Sequence, residues 1–287
     1  MRDIIEKAML FGGKAIVTVM RTKNIVERAR ELHSTSAVAT AALGRTLTAI
    51  TFMSMDMEED DDVSAIVDGG GVLGKIIVSG AGGGYVRGYV GNGSVELPLN
   101  AKGKLDVGGA VGRDGYLTVT KKIGGGEPYV GKCELMSGEI GEDFAYYYLI
   151  SEQLPSVVAL GTLIENGKCI SAGGVFIQPL PGCGEDILVV LEDISRNFQD
   201  ISKQLLAKSP REMIDGNFGH FEIKYLDTKY PEYRCRCSRE KLESVILSLG
   251  KDEAMDMIRD NGEIRAHCEF CNTDYVFGEN DVKKLFL

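Results

Sequence analysis

A chain of 287 residues with 44% hydrophobic side chains, no tryptophan and a formal net charge of −10 is long enough for one large core and a smaller module. Its acidic balance argues against a nucleic-acid partner, because binding phosphate requires a basic face. The N-terminus is charged from the start and no membrane span follows, so the expectation is a cytoplasmic protein with no membrane partner, where structural disulfides are uncommon.

Taken in order, residues 15–21 alternate as a strand, and two helices follow. Ile25, Val26, Ala29 and Leu32 share one face, and residues 36–53 offer Val38, Ala41, Ala42, Leu47 and Ile50 for packing. The acidic run 56–62 is a solvated loop. Beyond it, glycine-punctuated segments at residues 63–68, 75–79, 85–90, 116–122 and 129–135 predict a largely antiparallel sheet. Gly69, Gly71 and Gly74 formally satisfy Gly-x-Gly-x-x-Gly, but β-branched residues follow them instead of a helix, so a hairpin turn is expected there. There is no Gly-x-x-x-x-Gly-Lys-Ser/Thr, hence no sequence support for ATP use.

Residues 138–160 are expected to be helical, with Glu142 and Asp143 suiting the N-terminus and Pro155 ending the helix or starting another. A closing strand over 172–181 leads to a boundary marked by Pro179, Pro181 and Gly182. Ile187, Leu191, Ile194, Phe198, Ile201 and Leu205 then recur at intervals of four and three, the seam of an amphipathic helix that packs on something. Ser209-Pro-Arg-Glu212 forms a capping box opening a second helix, and residues 220–226 make a strand leading to the cysteines. Such a segment is folded only while its apolar face is covered, which makes it a natural movable connector.

Four of the seven cysteines fall into two close pairs, Cys235-Arg-Cys237 and Cys268-Glu-Phe-Cys271. Zinc favours four soft ligands in a tetrahedron, and two short clusters brought together by a fold supply one. Residues two apart in an extended segment point to the same side, so Cys235 and Cys237 can face one metal. Between the pairs, Ser238 is an N-cap, Leu242, Val245, Ile246 and Leu249 make one apolar face, and Gly250 sits at the C-terminal cap. Two readings follow: a permanent structural zinc knot, or a switch whose metal-bound thiolates are the form that oxidants attack. Zinc contributes on the order of 10–16 kcal/mol to folding in small peptides, so its loss could unfold the terminal module.

Other candidates are weaker. His267 adjoins Cys268, but four thiolates already complete a site; His33 and His220 are structural or surface residues. Cys133, Cys169 and Cys183 are isolated and expected to be buried or incidental, with Cys183 the most exposed.

The segments Glu232-Tyr-Arg-Cys-Arg-Cys-Ser-Arg-Glu-Lys241 and Gly262-Glu-Ile-Arg-Ala-His-Cys-Glu-Phe-Cys-Asn272 resemble the zinc-binding signature of the heat shock protein 33 family, redox-regulated holdase chaperones. Arg87-Gly-Tyr-Val90, Gly115-Tyr-Leu-Thr-Val-Thr120, Pro128-Tyr-Val-Gly131, Ser151-Glu-Gln-Leu-Pro155 and Gly173-Gly-Val-Phe-Ile-Gln178 extend the likeness over nearly the whole chain. The resemblance implies an α+β protein in three parts: an N-terminal α/β core with a mostly antiparallel sheet (1–180), a helical linker (181–231) and a small C-terminal zinc module (232–287). It further implies one zinc ion per chain in the reduced, inactive form, held by Cys235, Cys237, Cys268 and Cys271. Oxidation then pairs Cys235 with Cys237 and Cys268 with Cys271, releases zinc and destabilises the linker. Such a protein is no enzyme: it holds unfolding clients without ATP and dimerises when oxidised. Two rival functions are a thiol-disulfide oxidoreductase using Cys268 or Cys271, and a static zinc-ribbon binding module.

Overall fold

The computed structural model describes residues 1–287, whose contacts divide into two compact units, Met1–Tyr233 and Arg234–Leu287. The first opens on a hairpin of β1 (Ile4–Leu10) and β2 (Ala15–Arg21). The charged start concealed β1 at the sequence level, yet the strand is covered on both faces: Ile5 joins one core, and Ala8 and Leu10 join the other.

Helices α1 (Lys23–His33) and α2 (Ala37–Ser54) follow. Fourteen of the eighteen residues of α2 are buried, because it touches strands of both sheets of the unit. A helix surrounded by protein must satisfy its polar side chains locally. Thr46, Thr48 and Thr51 accordingly donate to the carbonyls of Ala42, Gly44 and Leu47 at 3.0, 2.8 and 2.8 Å. Small residues permit the close approach: a Cβ on Gly44 would stand 2.7 Å from Val26 Cγ1 and 2.9 Å from Thr162 Oγ1.

Strands β3 (Asp62–Asp68), β4 (Ile76–Ala81) and β5 (Tyr85–Val90), the short helix α3 (Val107–Val111), then β6 (Tyr116–Lys122) and β7 (Tyr129–Glu134) continue the chain. The expected hairpin at Gly69–Gly74 is present, with β3 and β4 antiparallel and Gly70 and Gly74 at φ +71° and +68°. Helix α4 covers only Gly141–Ile150, which corrects the helix expected as far as residue 160. The Oδ1 of Asp143 accepts from the backbone N–H groups of Met136, Ser137 and Gly138, and Oδ2 from Ile140, fixing the turn into α4. After Pro155 the β-branched run forms β8 (Val157–Glu165), which pairs along its length with β9 (Lys168–Pro179).

The seam beyond the boundary is one face but two helices: α5 (Glu185–Ser195), a 3-10 turn at Arg196–Phe198, and α6 (Ile201–Ala207). A 3-10 turn places residues three apart on one side, so the spacing survives the break. The capping box is realised at α7 (Pro210–Phe218), where Glu212 N donates to Ser209 Oγ and Ser209 N to Glu212 Oε2 at 2.7 Å. Then β10 (Ile223–Lys229) pairs with β1, and β11 (Glu232–Tyr233) runs parallel to β5.

Two sheets result, ordered β10-β1-β2-β9-β8 and β11-β5-β4-β3-β6-β7. The largest core gathers around α2 and includes Phe144, Tyr147 and Phe176. A second core lies where Ile187, Leu191, Phe198, Ile201, Leu205, Met213 and Phe218 cover Val17, Val19, Val175 and Ile177. Residues 185–229 thus pack within the first unit.

In the second unit, α8 (Arg239–Leu249) starts at the Ser238 cap and is followed by α9 (Lys251–Asn261), the hairpin β12 (Glu263–Cys268) and β13 (Thr273–Gly278), and α10 (Glu279–Leu285). Gly250, at φ +91°, both ends α8 and begins α9. The core here is small: Ile246, Ala254, Ile258, Ile264, Phe277 and Val282. No helix of the chain is long and apolar enough to cross a membrane.

Candidate metal centre

The four cysteines of the two close pairs converge within the second unit. Cys268 ends β12 opposite Thr273, and the connection turns back sharply because Asn272 N donates to Cys268 O at 2.8 Å with Asn272 at φ +52°. Cys271 lies inside that turn. Cys235 and Cys237 stand on the extended segment before α8, where Lys241 Nζ donates to Arg236 O at 2.8 Å. All four sulfurs lie within 4.8 Å of one another. Cys237 Sγ is 3.2 Å from Cys271 Sγ and 3.3 Å from Cys235 Sγ, and Cys235 Sγ is 3.7 Å from Cys268 Sγ. A tetrahedron with metal–sulfur bonds of about 2.3 Å separates its sulfurs by roughly 3.8 Å, so these residues can hold a metal ion.

Electrostatics point the same way. Burial pushes the Cys235 thiol up to about 12, reinforced by hydrogen bonds with its neighbouring thiols. Burial also opposes ionisation of Cys237, but the Tyr275 hydroxyl, donating to its sulfur at 3.2 Å, and the surrounding thiols bring it down to about 7. Burial raises Cys271 as well. Four thiols this close cannot all ionise against one another; a divalent cation among them removes that repulsion. Tyr275, on β13, is the site residue that sequence reasoning missed. Its register opposite Ala266 is set by the hairpin, and cysteine spacing carries no trace of it.

His267 lies outside the sulfur cluster, its Nδ1 2.8 Å from Asp274 Oδ1. His33 Nε2 is 3.4 Å from the Tyr233 hydroxyl in the first unit. Cys133 and Cys169 are buried and Cys183 half-buried; burial lifts the first two thiols to about 11 and about 12, which makes them poor nucleophiles. Cys268 ends β12 and Cys271 lies within the hairpin turn that follows, without the helix N-terminus that activates a Cys-x-x-Cys nucleophile.

The comparisons agree across the chain. A family model described as "Hsp33 protein" matches residues 3–278. The 33 kDa chaperonin of Thermoanaerobacter sp. (strain X514) is 40% identical over 99% of this chain and 98% of that protein; that of Bacillus cereus (strain G9842) is 39% identical over 99% of each. The crystal structure of the 33 kDa chaperonin (heat shock protein 33 homolog) from Thermotoga maritima superposes with a TM-score of 0.90 at 34% identity, covering 99% of this chain and 98% of that one. The class these similarities define is that of the molecular chaperones. The chain belongs to the Hsp33 family.

Proposed function

We propose that the protein is a redox-regulated, ATP-independent holdase that binds unfolding proteins under oxidative stress. The observation that carries the reading is the convergence of Cys235, Cys237, Cys268 and Cys271 in a unit whose own apolar core is small. One zinc ion per reduced chain would hold these sulfurs as thiolates and contribute its binding free energy to folding of the unit. Forming the disulfides Cys235–Cys237 and Cys268–Cys271 withdraws four electrons, which reduce two molecules of hydrogen peroxide to water while four protons are taken up. Disulfide sulfur is a poor ligand, so the four residues then release the metal and the unit loses its staple.

The gate extends to residues 185–218, whose apolar seam covers one face of the β1-β2-β9 ladder. In this reading that segment undocks once the cysteine unit unfolds, offering both its own apolar face and the sheet beneath to clients. The oxidised form pairs into a homodimer, acts in the cytoplasm, catalyses no reaction, and binds neither nucleic acid nor membranes. The test is a count of bound zinc and free thiols before and after peroxide at an unfolding temperature. Loss of one zinc together with four thiols is expected; oxidation that leaves zinc in place would overturn the switch.

A further inference from the structure

The hydroxyl of Tyr275 lies 3.2 Å from Cys237 Sγ, and the strand that carries it explains why it stays there. Residues two apart on β13 share a face, so Tyr275 points the same way as Phe277, which is fully buried in the small core with Ile246, Ala254 and Ile258. The Tyr275 ring packs against that core, and its register partner on β12, Ala266, is small. A tyrosine held by its ring carries its hydroxyl at a fixed reach, and here the reach ends on the sulfur.

Cys237 is also the hub of the cluster. Its sulfur is 3.3 Å from Cys235 Sγ and 3.2 Å from Cys271 Sγ, so it neighbours a cysteine of each pair. A hydroxyl donor distinguishes reduced sulfur from oxidised sulfur. A thiolate carries a full charge and takes a charge-assisted hydrogen bond, whereas disulfide sulfur is neutral and accepts only weakly. The bond from Tyr275 is therefore strongest before Cys237 is oxidised and is largely lost afterwards. Stabilising a reduced form makes the corresponding disulfide harder to form, which raises the reduction potential of the couple.

We propose that Tyr275 is a positioning residue for Cys237, whose hydroxyl holds that sulfur in its reduced form and so sets the oxidative threshold of any disulfide made there. The inference rests on the proposed redox switch and adds the residue that tunes it. The reaction it modulates joins Cys237 to a neighbouring sulfur. With glutathione disulfide as the oxidant, two protein thiolates give up two electrons and the glutathione S–S bond breaks. Two molecules of reduced glutathione leave after taking up two protons.

The test equilibrates the full-length zinc-loaded protein with glutathione redox buffers at fixed free zinc, then blocks the remaining thiols with an alkylating agent. Chains holding one disulfide are isolated by the number of labels on the intact chain and digested to locate it. The readout is the ratio of chains bridged at Cys237 to chains bridged at Cys268–Cys271. Tyr275→Phe keeps the ring and removes the donor, so the ratio should rise about tenfold, equivalent to about 30 mV for a two-electron couple. Phe277→Leu loosens the same strand without touching the hydroxyl and should leave the ratio unchanged. This separates the hydrogen bond from a merely structural role. An unchanged ratio in Tyr275→Phe, or equal rises in both variants, would overturn the role of Tyr275. If no disulfide forms among the four cysteines of the parent protein, the switch fails and this inference with it; bridges in the parent with an unmoved ratio in Tyr275→Phe refute the inference alone.

Discussion

Leu205→Ala tests whether the helices over the sheet open as a unit of their own. Leu205, on α6, is 2% exposed, and its Cδ1 stands 2.5 Å from where a Cβ on Gly173 would lie. Truncating a buried leucine in such a site costs about 3 kcal/mol. If that loss falls on local undocking of residues 185–207, the open population rises roughly a hundredfold, at about 1.4 kcal/mol per factor of ten. Hydrogen exchange by mass spectrometry reads this directly: amides of α5 and α6 should exchange about a hundredfold faster, with β2 and β9 unchanged. Leu206→Ala, one residue on and 57% exposed, should stay within about 0.5 kcal/mol of the parent. Equal exchange in the two variants, or acceleration of β2 and β9 by the same factor, would refute local opening and with it the gate.

Three further outcomes follow from the same structure. Cys235→Ser and Cys268→Ser each remove a ligand; since loss of an outer-shell partner alone weakens metal binding by about 10–100-fold, chelator competition should show a larger drop in zinc affinity, with faster exchange in β12 and β13, and unchanged affinity in both would remove the four-cysteine site. Asp143→Asn replaces an acceptor of four backbone N–H groups with one that cannot take them all, and should lower unfolding free energy by about 2–4 kcal/mol in a denaturant titration. Burial pushes the Asp3 carboxyl up to about 6 despite N–H groups donated by Asn24 and Ile25. A folded-state value raised above the unfolded one favours the protonated native form, so the Asp3 contribution is complete below about pH 4 and lost as pH rises through about 6. The loss is on the order of 2–3 kcal/mol. Asp3→Asn should flatten that part of the stability profile, and a difference between variant and parent that is constant from pH 4 to 7 would contradict it.

What the sequence disclosed, and what it hid, follows from the range of the forces involved. The capping box at Ser209 and Glu212 and the glycine turn between β3 and β4 are local devices, legible because their hydrogen bonds and dihedrals are satisfied within a few residues. The convergence of the four cysteines, which could hold a metal ion, was legible for a different reason: Cys-x-Cys and Cys-x-x-Cys in one module are the spacing of shared-metal ligands. By contrast, β8 lies in an apolar stretch with no decisive period, and only pairing with β9 makes it a strand. The start of the chain disguised β1, whose place depends on β2 on one side and on β10, more than two hundred residues away, on the other. Helix α9 buries only Ala254 and Ile258, too thin a stripe to stand out in sequence. Tyr275 reaches Cys237 through hairpin register, a tertiary fact that no spacing rule contains.

Light scattering from a heat-unfolding client, without ATP, tests the central claim most directly, with the zinc-loaded reduced protein in one sample and the peroxide-treated protein in another. The account predicts that client aggregation proceeds in the first and is suppressed in the second. Equal suppression in both would contradict it, leaving a constitutive chaperone in which the four cysteines only hold a permanent structural metal.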